Sequence, residues 1–145
     1  MAVLLILIVA ASIFRGLGFA GVHSLASWSA ASRDGLAVML FFTGSTHFTS
    51  MKEDFIHMMP SWVPKPRAMI FFTGLCEIAG AIGLVIPALQ RAAAIALILF
   101  FLAVLPANIH AARAGVMLRG RPATALWLRV PMQILFIGIA WWAAR

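Results

Sequence analysis

The sequence predicts an all-α integral membrane protein, and three observations carry that expectation. Hydrophobic residues make up 63% of the 145, against about half in a soluble domain, only 10% are charged, and mean hydropathy is +1.03. Five apolar stretches of about twenty residues follow one another, each long enough to cross a hydrocarbon layer as a helix, and a soluble fold this small could not bury them all. The basic residues behind the formal charge of +7 stand at the ends of those stretches rather than in a patch with aromatics. That distribution suits orientation in a membrane and argues against a nucleic-acid partner.

The first stretch opens with MAVLLILIVAASIF, which resembles a signal peptide in lacking acidic residues. It has no basic start and no small-x-small site leading into polar sequence, so a retained helix is expected over Ala2 to Trp28. SAASRDG then reads as a linker to a second helix, Gly35 to Met51. KEDFIHMMPSWVPKP, with three prolines and flanking aromatics, reads as a re-entrant or interfacial loop before a third helix, Arg67 to Ile86. PALQR is a tight turn into a fourth helix, Ala92 to Arg113. AGVMLRGRP carries Gly115, Gly120 and Pro122 as breakers before a fifth, Thr124 to Ala144.

Alternating helices sort the cations into two sets: Lys52, Lys65, Arg67, Arg113, Arg119 and Arg121 at one end, and Arg33, Arg91 and Arg145 at the other. The richer end is expected in the cytoplasm, which places the N-terminus there as well.

Charge is expensive at the centre of a lipid-exposed helix, so ionisable groups within the segments should face the bundle interior. Asp34, Glu53 and Asp54 read as loop residues, leaving Glu77 as the intramembrane acid, about ten residues into its helix. His47, Asn108, His110, Arg129 and Gln133 fall in the same half of the bilayer, and Glu77 with Arg129 is a possible ion pair. Structural glue is the competing reading for that pair. His47 with His110 could ligate a haem, and His47, Glu77 and His110 could hold a metal, but sequence spacing supports neither strongly. His57 reads as a solvated loop residue, and Arg15 and His23 belong to the opposite half. Cys76, the lone cysteine, excludes an intramolecular disulfide, a CxxC redox pair and a thiolate zinc cage. The tetrapeptide FFTG occurs at 41–44 and 71–74, with His47 and Glu77 three residues after the respective glycines. A shared solution to close helix packing explains the repeat more simply than duplication.

The segments FFTGSTHF, MMPSWVPKP, FFTGLCEIAGAIGLVIP, LPANIHAA and LWLRVPMQ, in this order between Leu36 and Gln133, are similar to the pattern of the small DoxX-like membrane proteins. That resemblance implies a four-helix membrane core over residues 35–145, to which residues 1–34 add an N-terminal transmembrane helix and linker. It also implies a bacterial inner-membrane location and a link to respiratory redox chemistry, since relatives include a membrane subunit of a thiosulfate:quinone oxidoreductase. The residues matching the pattern are His47, Glu77, Asn108, Arg129 and Gln133. The function expected is a redox-associated subunit holding a quinone or similar amphiphile, with His47 and Glu77 exchanging protons and Asn108, Arg129 and Gln133 binding the ligand. A protein partner or homo-oligomer would accompany it. The alternative is a non-catalytic anchor or assembly subunit, and a transporter is disfavoured because inverted halves are not detectable.

Overall fold

The computed structural model describes residues 2–115, 117, 118, 120–122 and 124–145, with backbone alone at 118, 121 and 122. Arg119 and the side chain of Arg121, counted above among the cations of one end, therefore lie outside the described residues. The described chain forms α1 (Ala2–Phe19), α2 (Trp28–Thr46), α3 (Lys52–Met58), α4 (Pro66–Val85), α5 (Gln90–Arg113) and α6 (Leu126–Ala144). A 3-10 turn at His23–Leu25 joins α1 to α2. Two-residue strands β1 (Met117–Leu118) and β2 (Arg121–Pro122) pair antiparallel between α5 and α6.

Four long helices make the bundle. Packing runs in a ring from α2 to α4 to α5 to α6 and back to α2, so α4 and α6 are diagonal rather than adjacent. Each helix of the ring runs antiparallel to its neighbours, the up-down-up-down arrangement that short connections favour. The fifth, α1, packs on α2 from outside the ring and sends Leu7 into the shared core with Leu36, Leu40, Leu84, Leu97 and Phe136. Four helices, α1, α4, α5 and α6, are long and apolar enough to cross a membrane. All five tryptophans are exposed. Trp28, Trp141 and Trp142 lie toward one end of the bundle, and Trp62 and Trp127 toward the other. Amphipathic indoles collect at such levels in membrane proteins.

Several expected boundaries are corrected. The first helix stops at Phe19 instead of Trp28, because the chain turns there: Val22 N–H bonds Leu17 O at 3.1 Å, and Gly21 takes φ +108°, a conformation that favours glycine. The SAASRDG segment is no linker. Ser27 caps α2 by accepting Ala30 N–H at 3.1 Å, and the helix runs through Ser29, Ser32, Arg33 and Asp34. Those polar first turns keep α2, though 19 residues long, from matching the apolarity of the other four. They are tolerated because Arg33 Nε donates to Asp34 Oδ1 at 2.7 Å and Nη1 to Gln90 Oε1 at 2.8 Å. Gln90 Nε2 in turn donates to Ala143 O at 2.8 Å, satisfying a carbonyl in the last turn of α6. At its other end α2 stops at Thr46 rather than Met51, and the following proline-rich segment contains α3. Pro66 opens α4 at a position where its missing N–H is harmless.

Candidate functional site

The crossing of α2 and α4 is built on the two FFTG copies. A Cβ on Gly44 would stand 2.9 Å from Gly74 O and 2.8 Å from Ile78 Cγ1. One on Gly74 would stand 3.0 Å from Gly44 O and 2.6 Å from His47 Cβ. Only glycine at both positions lets the backbones approach this closely. The residues around them then bond reciprocally across the contact. Thr43, beside Gly44, is hydrogen-bonded through Oγ1 to Glu77 Oε2 at 2.5 Å. Thr73, beside Gly74, places Oγ1 3.2 Å from His47 Nδ1. Each threonine thus reaches the ionisable residue that follows the opposite glycine by three, the pattern of a local two-fold interface.

These bonds orient the imidazole. Nδ1 of His47 lies 2.9 Å from Ile70 O, which can only accept, so Nδ1 carries a proton. The Thr73 hydroxyl donates to the same carbonyl at 2.9 Å, leaving its lone pairs toward Nδ1–H. His47 Nε2 is thereby turned toward Glu77 Oε1 at 3.9 Å, inside ion-pair range and beyond a direct hydrogen bond. The side chains of His47 and Glu77 are only 12% and 14% exposed. Thr43 and His47 share the face of α2 that carries Leu36, Met39 and Leu40 into the core, one helical turn apart. From α3, Phe55 covers the imidazole with ring centroids 4.6 Å apart. His47 itself caps α2, rather than lying four residues inside it, with helical φ and ψ of −65° and −17° that keep its side chain on the helical face.

The other three expected residues form a separate group. Arg129 Nε donates to Thr124 O at 2.9 Å and Nη1 to Asn108 Oδ1 at 2.8 Å. Gln133 is buried and donates to Phe101 O at 2.7 Å. The expected Glu77 and Arg129 pair does not form. Their helices stand on the diagonal of the ring, and the guanidinium finds acceptors on α5 and in the segment just before α6 instead. His110 does not join His47 and Glu77, since among the described residues no three His, Cys, Asp or Glu side chains are placed to hold a metal. His57 is exposed on α3. Arg15 stacks over Phe19 at 3.7 Å, and its Nε is buried without a hydrogen-bond partner among the described residues.

Sequence reasoning missed Thr43, Thr73 and the Ile70 carbonyl. The repeated threonine was a signal for the first two, because a residue type recurring beside a close-packing glycine has a second reason to be there. It also missed a groove of about 650 Å³ between α1, α2 and α4, lined by none of the expected site residues.

The fold and the site define a membrane-type helical bundle with a buried imidazole and carboxyl facing each other across a glycine crossing. The chain belongs to a family described as a domain of unknown function (DUF8561), whose model matches residues 36–144, beginning within α2 and ending with α6. Neither the curated proteins nor the solved structures contain a match.

Proposed function

We propose that this chain is a DoxX-like, redox-associated membrane subunit that receives a quinol or a similar hydroxyl-bearing amphiphile at the His47 and Glu77 pair. The observation that supports it is the 3.9 Å gap between Nε2 and Oε1, with the remaining polar atoms of both groups already bonded to α2, α4 or their threonines. An oxygen placed beside that gap would lie within hydrogen-bond distance of both atoms. With Nδ1 protonated, a neutral His47 offers Nε2 as an acceptor, and an ionised Glu77 offers Oε1 as another. Two acceptors converging on one point suit an O–H that is to lose its proton. A quinol oxidised there would give one proton to the pair from the bound hydroxyl and its second to water. Its two electrons would go to a redox partner protein, since electron transfer needs an acceptor outside these side chains. Asn108, Arg129 and Gln133 would then support the α5 and α6 wall of the site, or bind the far oxygen of the ring.

The side bearing Lys52, Lys65, Arg67 and Arg113 would face the cytoplasm of a bacterial cell, with the N-terminus on the same side. An anchor or assembly subunit is the second reading. It is favoured by one specific observation: the Asn108, Arg129 and Gln133 side chains each already hold an internal partner.

Replacing Glu77 with Gln keeps the shape and removes the acceptor charge. The quinol reading expects at least a tenfold loss of affinity for a short-chain ubiquinol in detergent, measured by equilibrium dialysis, with the thermal midpoint little changed. Unchanged affinity in a folded Glu77→Gln protein, or no ubiquinol binding by the unaltered protein, leaves the anchor reading standing.

A further inference from the structure

We propose that the groove between α1, α2 and α4 is a second binding site, and that its ligand is a long-chain amphiphile with an ammonium head held by Asp34. The groove occupies the face of α2 opposite Thr43 and His47, because Asp34, Val38, Phe41 and Ser45 recur at three- and four-residue spacing along one stripe. Phe14 of α1 and Val85 of α4 close its sides. Within this apolar lining Asp34 is the one charged side chain.

Its surroundings leave that carboxylate available. Asp34 Oδ1 accepts Arg33 Nε at 2.7 Å, and the Arg33 guanidinium reaches away to Gln90 on α5. The second carboxylate oxygen has no hydrogen-bond partner among the described residues, and the side chain remains 15% exposed. A hydrocarbon chain lying alone in the groove would cover this oxygen without pairing it, which is unfavourable. An anionic head brings no donor to it. An ammonium head satisfies the carboxylate while its chain fills the apolar remainder.

The dimensions agree with an amphiphile lying along α2. Asp34 is in the second turn of α2, near the end of the bundle, and Ser45 is near the opposite end of the same helix. The rise between them is ~16 Å, about half of a hydrocarbon layer. The head would sit at the second turn of α2 and the chain would run along the helix toward its far end. This site stands apart from the quinol reading and does not depend on it.

The test uses the full chain in dodecyl maltoside, a neutral detergent, with a photoreactive hexadecylammonium as probe, whose primary ammonium carries N–H donors. Saturable labelling of groove residues on α2 and α4 is expected, outcompeted by unlabelled hexadecylammonium and at least tenfold less by hexadecanol. Asp34→Asn is expected to weaken labelling by tenfold or more. Val38 is 41% exposed, so Val38→Trp can fill the groove without displacing the core or the Arg33 and Asp34 pair, and it should abolish labelling. Equal competition by hexadecanol overturns the proposal, as does full labelling of a folded Asp34→Asn protein. If Asp34→Asn does not fold, the competition and Val38→Trp decide: retained labelling in Val38→Trp overturns it.

Discussion

At Glu77 one carboxylate oxygen is held by Thr43 and the other faces an imidazole, so the two threonines of the crossing are not equivalent in what their loss exposes. Replacing Thr73 with Val leaves His47 Nδ1–H its bond to the Ile70 carbonyl. Both bonds of the Thr73 hydroxyl are lost, but Nδ1–H and the Ile70 carbonyl still satisfy each other, so we expect a loss of about 1 kcal/mol. Replacing Thr43 with Val strands Glu77 Oε2 without a listener on α2, and an unsatisfied buried acceptor costs about 1–3 kcal/mol. Thermal unfolding in detergent should therefore rank Thr43→Val below Thr73→Val in stability, and the reverse order would contradict the reading of the bonds. Nitrogen NMR of His47 should keep the Nδ1–H tautomer in Thr73→Val, because the carbonyl that selects it is still there. At this scale the sequence was informative about His47 and Glu77, which a shared half of the bilayer and matching places in the FFTG repeat brought together. It was silent about the Ile70 carbonyl, since every residue carries one and only geometry selects it.

Among the elements, α2 departs furthest from expectation. Its first turns read as a loop because Arg33 and Asp34 look like solvated charges. Their partners make them helical, and Gln90 and Ala143 come from helices 57 and 53 residues further along the contact chain. No local pattern reports such partners. The close crossing of α2 and α4, by contrast, was legible in the repeated Thr-Gly, because small residues at an interface are a general device of membrane helices. It leads to a prediction of opposite signs. Gly44→Ala would press a methyl within 2.8 to 3.1 Å of Ile78, Gly74 and Glu77, and overpacking of this kind costs about 1–3 kcal/mol. Gly138→Ala on α6 meets nothing within 4 Å. It should be neutral or stabilising by up to about 1 kcal/mol through helix propensity. Both are read from thermal midpoints, and a stable Gly44→Ala protein would rule out the tight crossing.

For the whole molecule, antiparallel packing puts the loop after α2 and the loop after α4 at opposite ends. With Cys76→Ser as background, Trp62→Cys and Arg91→Cys should react with an impermeant maleimide from opposite faces of sealed vesicles. Labelling of both from one face would refute a membrane-crossing bundle. If the cation-rich end is cytoplasmic, Trp62→Cys reacts in inverted vesicles and Arg91→Cys in right-side-out ones. Composition and hydropathy made the helical class readable from the sequence, because burial of so much apolar surface has few solutions. The ring order was not readable, and with it went the expected contact between Glu77 and Arg129. Which helices are diagonal depends on how loops direct their neighbours, and side-chain depth alone carries no such information.

The tie from Arg33 through Gln90 to Ala143 also sets an order of events during synthesis. Chains emerge from the N-terminus, at roughly 5–20 residues per second. Arg33 leaves the ribosome before Gln90 does, and Gln90 waits in turn for the final turn of α6. For those seconds the polar start of α2 lacks the partners that later hold it. The fastening of the second helix thus waits for α6 to be made.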